Sequence, residues 1–558
     1  AGETPSPEMV AAAGVTGELS RRAAWSLFAA GVVAVVLCYV TAALWTVPGL
    51  IRGAKSRDVL ADRAREIIEA FGYPAPADEA IRFQSNRGYL GHLAAHKANA
   101  SWSPRPTTSA SPTHFVYRGG PRVLVPTNAD CLVTLNDPPE VIPTMSTLVL
   151  DHRGRLRSFR IVPPEKALIG TATVYDWRRA FELAALDITT FRPVASEWVP
   201  RYGFDRRHAW TGVYPDERDI AIRVEAASLA GRPVSFRVIE PWTTPQTPAA
   251  RQKVAYFAFG LITFIAFVGG AVIARRNHRR GRGDLRGARK IAAAVLIGAV
   301  LTRVLWMDHV VDLRAEWEMI VNAMSTGLMR SFTAFLLYLA VEPYVRRRWP
   351  RMLISWSRVV AGRPRDPLVS RDVMIGVSVA ALTGATARSS VPVLVWLGWT
   401  DVVPTDPLVS ARTRSLLAFF AGVPASFVYM LTATLVVLTI LLIFAFVLRN
   451  YLASMIVTGV MIGAVFATGE VPLPANVFSV AIGLWVLHRF GAVAYSAMLF
   501  VQELGIRTPF TFELDAWYGP SALAVGLLLI AWLAVSFYWS LAGKPAFGAA
   551  ALEDVPAT

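Results

Sequence analysis

The residue pair with the clearest potential for chemistry is Glu342 and Arg346, four positions apart at the end of an apolar run. On a helix, this spacing brings the two side chains together on one face. A glutamate in such a place could activate water if a metal ion or a second base lay beside it. Without that help, the same spacing gives an ion pair at a helix end. The pair is therefore the first candidate intramembrane polar site.

The neighbouring residues favour the ion pair over catalysis. Glutamate-dependent intramembrane proteases use two adjacent glutamates, an arginine four positions on, and histidines on later helices. Here Val341 stands where the first glutamate would be, and His488 has Leu484 four positions before it instead of phenylalanine. A protease-like hydrolase centred on Glu342 stays an alternative, and Pro343 is expected to bend the chain as it leaves the helix.

Arg330 extends the candidate polar site because it lies close to the middle of its apolar run. A charge at that depth is costly and is by default a functional residue. Arg303 and Arg388 lie nearer the ends of their runs, so their side chains can reach the membrane surface. An anion path, as in a transporter with its own binding domain, is one interpretation, and pairing between helices is the other.

A polar stretch of about 200 residues carries the second set of candidates, which are four tryptophans that could line a ligand pocket: Trp177, Trp198, Trp210 and Trp242. Aromatic side chains at strand positions more often form a core, and both interpretations stay open. The two cysteines, Cys38 and Cys131, lie in an apolar run and in the polar stretch, and they form no metal or redox motif. The sequence therefore predicts neither a metal nor a cofactor site.

The composition indicates a membrane protein. Hydrophobic residues make up 54% of the 558 residues and charged residues only 17%, against roughly a quarter in soluble proteins. Several apolar runs approach the roughly 20 residues that a membrane helix needs. Residues 275–290 and 346–371 each hold eight basic residues and one Asp, and so contribute +14 of the net charge of +16. Because both regions adjoin apolar runs, they mark the cytoplasmic side and do not indicate nucleic-acid binding.

We therefore predict a polytopic α-helical membrane protein of nine to ten transmembrane helices with one inserted extracytoplasmic α+β domain. The count depends on whether residues 475–505, interrupted by His488 and Arg489, form one span or two. The predicted parts are a cytoplasmic linker (1–22), a first transmembrane helix (23–50), the extracytoplasmic domain (51–252), a multi-helix transmembrane domain (253–543) and a C-terminal tail (544–558).

The extracytoplasmic domain is predicted to have two related halves, each a helix followed by a β-hairpin. The segments LDHRGRLRSFRIVPP (150–164) and ASLAGRPVSFRVIEPW (227–242) both place Gly-Arg in a turn and Ser-Phe-Arg in the returning strand. The pattern also predicts a weaker helix over 79–95 and a strand at 122–126. An antiparallel sheet with helices against it follows from this order.

Several phrases resemble one family. GETPSPEMVAAAG (2–14) is similar to the linker that follows the kinase domain in certain bacterial membrane-bound serine/threonine protein kinases. Later segments resemble the region behind that linker: ADRAREIIEAFGY (61–73), FVYRGGPRVLVP (115–126), NDPPEVIPTMSTLVLDHRGRL (136–156), GRPVSFRVIEPW (231–242), AVEPYVRRRWP (340–350) and RDPLVSRDVMIG (365–376). The resemblance covers nearly the whole chain and implies a kinase domain ahead of residue 1.

The chain itself carries no kinase signature: no glycine-rich loop with its lysine, no HRD loop and no DFG with APE. ATP positioning needs those parts together. The resemblance thus implies an extracytoplasmic sensing and membrane-anchoring module in a bacterial cytoplasmic membrane. Its expected partners are its own or an associated kinase domain, the lipid bilayer and an unknown extracytoplasmic ligand, with ATP and Mg only in the kinase domain.

Overall fold

The computed structural model describes residues 6–12, 17–51, 54–96, 110–164, 174–243, 264, 267–398, 404–410, 415–465 and 473–546. Within these ranges the chain forms a bundle of long helices and a separate antiparallel sheet with its own helices. The span predicted for 254–274 lies largely outside the described residues, which include only its last part.

The helices differ in length and in how apolar they are. The short or amphipathic ones are α1 (Pro7–Ala11), α3 (Val47–Leu50), α4 (Arg57–Ala70), α5 (Arg87–His96), α6 (Arg178–Leu183) and α10 (Ile354–Val360). The others are α2 (Arg21–Trp45), α7 (267–279), α8 (Leu285–Trp306), α9 (Leu313–Arg348), α11 (Pro367–Trp396), α12 (Leu416–Leu448), α13 (Tyr451–Val465), α14 (Leu473–Phe490), α15 (Ala492–Arg507) and α16 (Gly519–Ser540).

Five of the described helices, α2, α9, α11, α12 and α16, are long and apolar enough to cross a membrane. The chain is thus a multi-pass membrane protein with a separate sheet region. The run 475–505 forms two helices, α14 and α15, that meet at Gly491. This glycine has a φ of 93°, a conformation that other residues rarely adopt, and Met352 leaves no room for a Cβ there.

The sheet has eight antiparallel strands in the order β1-β2-β3-β4-β8-β7-β6-β5. Their bounds are β1 (Asp78–Ser85), β2 (Thr113–Gly120), β3 (Ser146–Asp151), β4 (Leu156–Ile161), β5 (Arg192–Val194), β6 (Arg206–Val213), β7 (Ala221–Leu229) and β8 (Arg232–Ile239). Each half of the domain supplies four consecutive strands, and the halves join where β4 pairs with β8.

The repeated Ser-Phe-Arg segments meet at this junction. Phe159 pairs with Phe236, so that each copy of the repeat runs antiparallel to the other about an approximate two-fold axis. Both phenylalanines are fully buried in the sheet-domain core. The repeat seen in the sequence is therefore the structural centre of the sheet.

Two local predictions in this domain were wrong. Residues 79–95 contain strand β1 followed by helix α5, because pairing with β2 overrides the local helical pattern of 79–85. The segment 122–126 forms no strand, since it leaves the sheet after Gly120 and Leu124 packs in a small cluster with Val133 and Met145.

The sheet domain rests on one end of the helical bundle, which we call the sheet end. Trp517, from the loop between α15 and α16, stacks on Phe83 of β1 with ring centroids 5.0 Å apart. Tyr518 and Leu408 from the helical part are buried in the sheet-domain core. The opposite end, called the basic end, holds residues 275–290 and 346–366.

Candidate functional site

Glu342 and Arg346 form a buried ion pair at the basic end of α9. Arg346 Nη1 lies 3.0 Å from Glu342 Oε1, and both side chains are 4% exposed. Arg346 also donates a hydrogen bond to the carbonyl oxygen of Arg282, and Tyr338 donates one to Asp284. No group of three or more metal-ligating side chains occurs in the described part of the chain. The pair therefore ties α9 to the 275–290 loop.

Pro343 lies inside α9 and does not end it, and the bend that the sequence predicts there stays a prediction. The helix continues through it to Arg348, although proline cannot donate to the carbonyl of Leu339. Asn277, which is 2% exposed, donates to the carbonyl oxygens of Leu339 and Ala340 at 2.9 and 3.1 Å. An amide from α7 thus replaces the missing backbone donor.

Arg330 does not join this pair, because it lies twelve residues earlier on α9, about 18 Å along the helix. Its side chain is exposed on the outside of the bundle. Arg303 pairs with Asp130 of the sheet domain at 2.6 Å. Arg388 donates to Cys38 Sγ and to the carbonyl oxygen of Gly505. The charges of Arg303 and Asp130 both act on Arg330, so these two arginines share one electrostatic environment, whereas Arg388 has different partners.

The four tryptophans do not line one pocket. Trp177 and Trp210 are buried in the sheet-domain core with Phe181 and Phe236. Trp242 packs on α5 and donates a hydrogen bond to Glu240. Trp198 is half-buried elsewhere, with the guanidinium of Arg237 over its ring at 4.9 Å.

A buried polar network that the sequence pattern missed crosses the sheet domain. Arg157 Nη2 lies 2.9 Å from Asp151, and Arg157 Nη1 donates to the hydroxyl of Tyr214, which donates to Glu240. Burial alone would raise the pKa of Asp151, but Arg157 and Arg155 hold it well below its usual range. The network links β3 and β4 of one half to the second half, so it fixes how the halves meet. The only signal in the sequence was charge at positions that a strand would bury.

His152 lies next to this network, 5% exposed, with its Nδ1 2.8 Å from the hydroxyl of Ser111. Burial lowers the pKa of His152 to about 4, and the charges of Arg153, Arg155 and Arg157 act in the same direction against that of Asp151. The imidazole is therefore neutral at physiological pH. Since Asp151 accepts from arginines and turn N–H groups and not from His152, these residues do not form a nucleophilic triad.

We expect the sheet domain to lose stability as the pH falls from about 6.5 to 4. The unfolded chain takes up a proton on His152 near pH 6.5, whereas the folded chain takes it up only near 4, so acid favours unfolding by up to about 3 kcal/mol. Hydrogen exchange of β3 and β4 across this range measures the loss. His152→Asn should make stability depend less steeply on pH. Some dependence should remain, because burial also lowers the pKa of His114. An unchanged slope in the variant would contradict the assignment.

A second buried network is centred on Glu140. Its carboxylate accepts hydrogen bonds from Arg160 (2.8 Å), Thr147 and Tyr202, and lies 3.7 Å from Arg118 Nε. Burial would raise the pKa of Glu140, but Arg160, Thr147 and Tyr202 together lower it. The network holds the 121–145 loop on the sheet.

The 121–145 loop also contacts α8, α9 and the residues between them. Asp308, just beyond α8, accepts from the N–H of Val133, and its own N–H donates to the carbonyl oxygen of Cys131. Cys131 packs with Met307 and Met319. The loop that the Glu140 network holds on the sheet therefore also contacts the helical bundle.

At the basic end, the N-terminal segment docks on the bundle. Val10 of α1 is buried with Ile354 and Leu368, and Arg358 donates to the carbonyl oxygen of Ala11 at 3.0 Å. Further contacts join residues 18–25 to the end of α16 and the residues after it: Glu18–Lys544, Leu19–Ser540, Arg21–Pro545 and Trp25–Ala546.

The fold and these sites define a multi-pass membrane protein with one sheet domain attached at one end of its helices. Comparison with protein-family models, with curated proteins and with solved structures found no match for this chain.

Proposed function

We propose that the chain is the sensing and membrane-anchoring module of a receptor-like serine/threonine protein kinase. The sheet domain receives a signal outside the membrane, and the helices pass it to a kinase domain on the basic side. That kinase domain is attached ahead of residue 1 or associates as a separate partner, and it alone uses ATP and Mg. The proposal begins from the resemblance of the sequence to such kinases.

One structural observation supports it most: α2 connects both ends of the protein without a break. Just before α2, residues 6–12 and 17–20 dock on α10, α11 and the end of α16. Just after it, Val47 donates to the carbonyl oxygen of Thr405, and the chain enters the sheet domain. Between these points α2 packs along α11 and α16. A shift of the sheet domain on the bundle would therefore act directly on the N-terminal segment.

Such coupling requires two states to which the signal binds with different affinity. The contacts at the sheet end are suited to a change of position, because several are single polar contacts. In the Arg303–Asp130 pair, Asp130 is 70% exposed and Arg303 is 13% exposed. An ion pair of this kind contributes little to stability and can exchange partners at low cost.

The same proposal includes the membrane setting. On this proposal the basic end faces the cytoplasm of a bacterium and the sheet domain lies outside its cytoplasmic membrane, and the basic loops on one side support that orientation. It further includes nine to ten spans: α7, α8 and α13 cross together with the five long helices, and the pair α14–α15 adds one span or two. Cysteine accessibility at Asp130 and Arg363 in sealed cells tests the sidedness.

Autophosphorylation in membranes tests the function. Membranes that carry the chain with its native upstream sequence should phosphorylate serine or threonine, and removal of residues 54–243 should change the rate severalfold. A matched variant, Glu182→Gln, alters an exposed ion pair of the same domain and should leave the rate unchanged. The proposal would be contradicted if the kinase were equally active without the sheet domain, or if the membranes showed no kinase activity at all.

A further inference from the structure

The face of the sheet opposite its aromatic core carries a symmetric polar patch. Side chains alternate along a strand, so those on either side of Phe159 and Phe236 point away from the core. In the register of β4 and β8, Ser158 pairs with Arg237, and Arg160 pairs with Ser235. Two arginines and two serines therefore lie together on one face, and we call them the Ser-Arg patch.

The two arginines of the Ser-Arg patch differ in their partners. Arg160 is held by Glu140 and by the carbonyl oxygen of Leu135. Arg237 has no hydrogen bond and no ion pair with any described residue, and its contact is the ring of Trp198 at 4.9 Å. Burial, then the charge of Arg160, lowers the pKa of Arg237. Within the described part of the chain, Arg237 is thus a half-buried cation beside a second cation and has no counter-charge.

The carboxylate nearest to Arg237 in register is already occupied. Glu225 pairs with Arg237 across β7 and β8, but its oxygens accept hydrogen bonds from Arg223, Ser196 and the N–H of Glu197. Among the described residues, Glu225 and Glu140 at this face are therefore satisfied by other partners, and the guanidinium of Arg237 has no acid beside it.

Two loops frame the Ser-Arg patch. Trp198 and Tyr202 belong to the loop between β5 and β6, and Glu140 belongs to the 121–145 loop. The hydroxyl of Tyr202 hydrogen-bonds to Glu140, which joins the two loops. The side chains of Ser158, Ser235 and Arg237 remain partly exposed between them, so a small ligand can reach them from solvent.

We propose that the Ser-Arg patch binds a small anion that carries a carboxylate or phosphate group. Arg237 offers a planar set of donors that matches either group in a two-pronged contact, the two serine hydroxyls add donors, and Trp198 holds the guanidinium in place. This inference deepens the proposed function by naming the class of ligand, and its role as a signal rests on that function. Because Arg160 bonds to Glu140, an anion here adjoins the loop that contacts α8 and α9.

Calorimetric titration of the full chain in detergent micelles with inorganic phosphate, and separately with acetate, tests the site and distinguishes the two groups. At least one anion should bind, and Arg237→Gln should weaken it about tenfold or more, since a charge-assisted pair is lost. Arg207→Gln is the matched control: Arg207 also lies over an aromatic ring, that of Phe204, but is exposed. This control should bind as the wild type does.

Two results would overturn the inference: no binding of either anion, or equal binding by Arg237→Gln. If Arg237→Gln fails to fold, Trp198→Ala replaces it, with binding expected to weaken about threefold or more and unchanged binding counting against the site. Binding is measured without a kinase, so binding without an effect on phosphorylation would contradict the proposed function alone.

Discussion

Replacing Glu140 by leucine should destabilise the sheet domain by about 3–5 kcal/mol. Arg118 is 1% exposed and Arg160 is 20% exposed, and the substitution leaves both without their carboxylate. A buried charge that loses its partner costs far more than the pair contributes. Hydrogen exchange of β3 and β4 in the full chain measures the loss, and the 121–145 loop should exchange fastest.

The matched control is Glu182→Leu in the same domain. Glu182 also pairs with an arginine, Arg179, at 3.0 Å, but both side chains are more than half exposed. Exposed pairs contribute at most about 1 kcal/mol, so exchange in β3 and β4 should stay as in the wild type. Equal effects of the two substitutions would show that Glu140 is not the centre of a buried network.

The second large effect is expected at the basic end. Arg346→Leu leaves Glu342 buried without its cation in α9 and should cost about 3–5 kcal/mol. Adding Glu342→Leu should recover much of that loss, because two apolar side chains then replace the pair. Thermal denaturation of the protein in detergent measures both, with exchange of residues 337–348 as the local readout.

Arg314→Leu is the control on the same helix. Arg314 and Glu318 have the same four-residue spacing and lie 3.1 Å apart, but they are 89% and 64% exposed. The change should cost less than about 1 kcal/mol. If the double variant at 342 and 346 were no more stable than Arg346→Leu, Glu342 would have a role other than pairing with this arginine.

Features that depend on nearby residues could be predicted from the sequence. Glu342 and Arg346 are one helical turn apart, so their contact follows from spacing alone. The Ser-Phe-Arg repeat predicted two related halves because each copy lies in a returning strand after a tight turn. The apolar runs that form α2, α9, α11, α12 and α16 exceed the length that a bilayer requires.

Features that depend on residues distant in the chain could not be predicted from the sequence. Asn277 supports α9 beside Pro343 from a separate helix, and nothing local marks it as the replacement donor. That no described acid pairs with Arg237 becomes visible only in the register of β4, β8 and β7. Residues 79–85 form a strand because β2, about 30 residues later, pairs with them, and local pattern cannot represent that contact.

The docking of α1 also depends on distant residues, and it connects the structure to the proposed function. Val10 packs against Ile354 and Leu368, which lie more than 300 residues later in the chain. If the sheet domain signals through α2, a movement of α2 should change the contact of α1 with α10 and α11. The geometry of this contact therefore reports on the coupling independently of any kinase.

The most direct measurement is the distance between spin labels at Met9, in α1, and Arg363, shortly after α10, both of which are exposed. Cys38 and Cys131 would be replaced by alanine, and the full chain would be compared with one lacking residues 54–243. Coupling predicts one narrow distance distribution in the full chain and a shifted or broadened one without the sheet domain. Identical distributions would contradict the claim that the sheet domain controls the N-terminal segment.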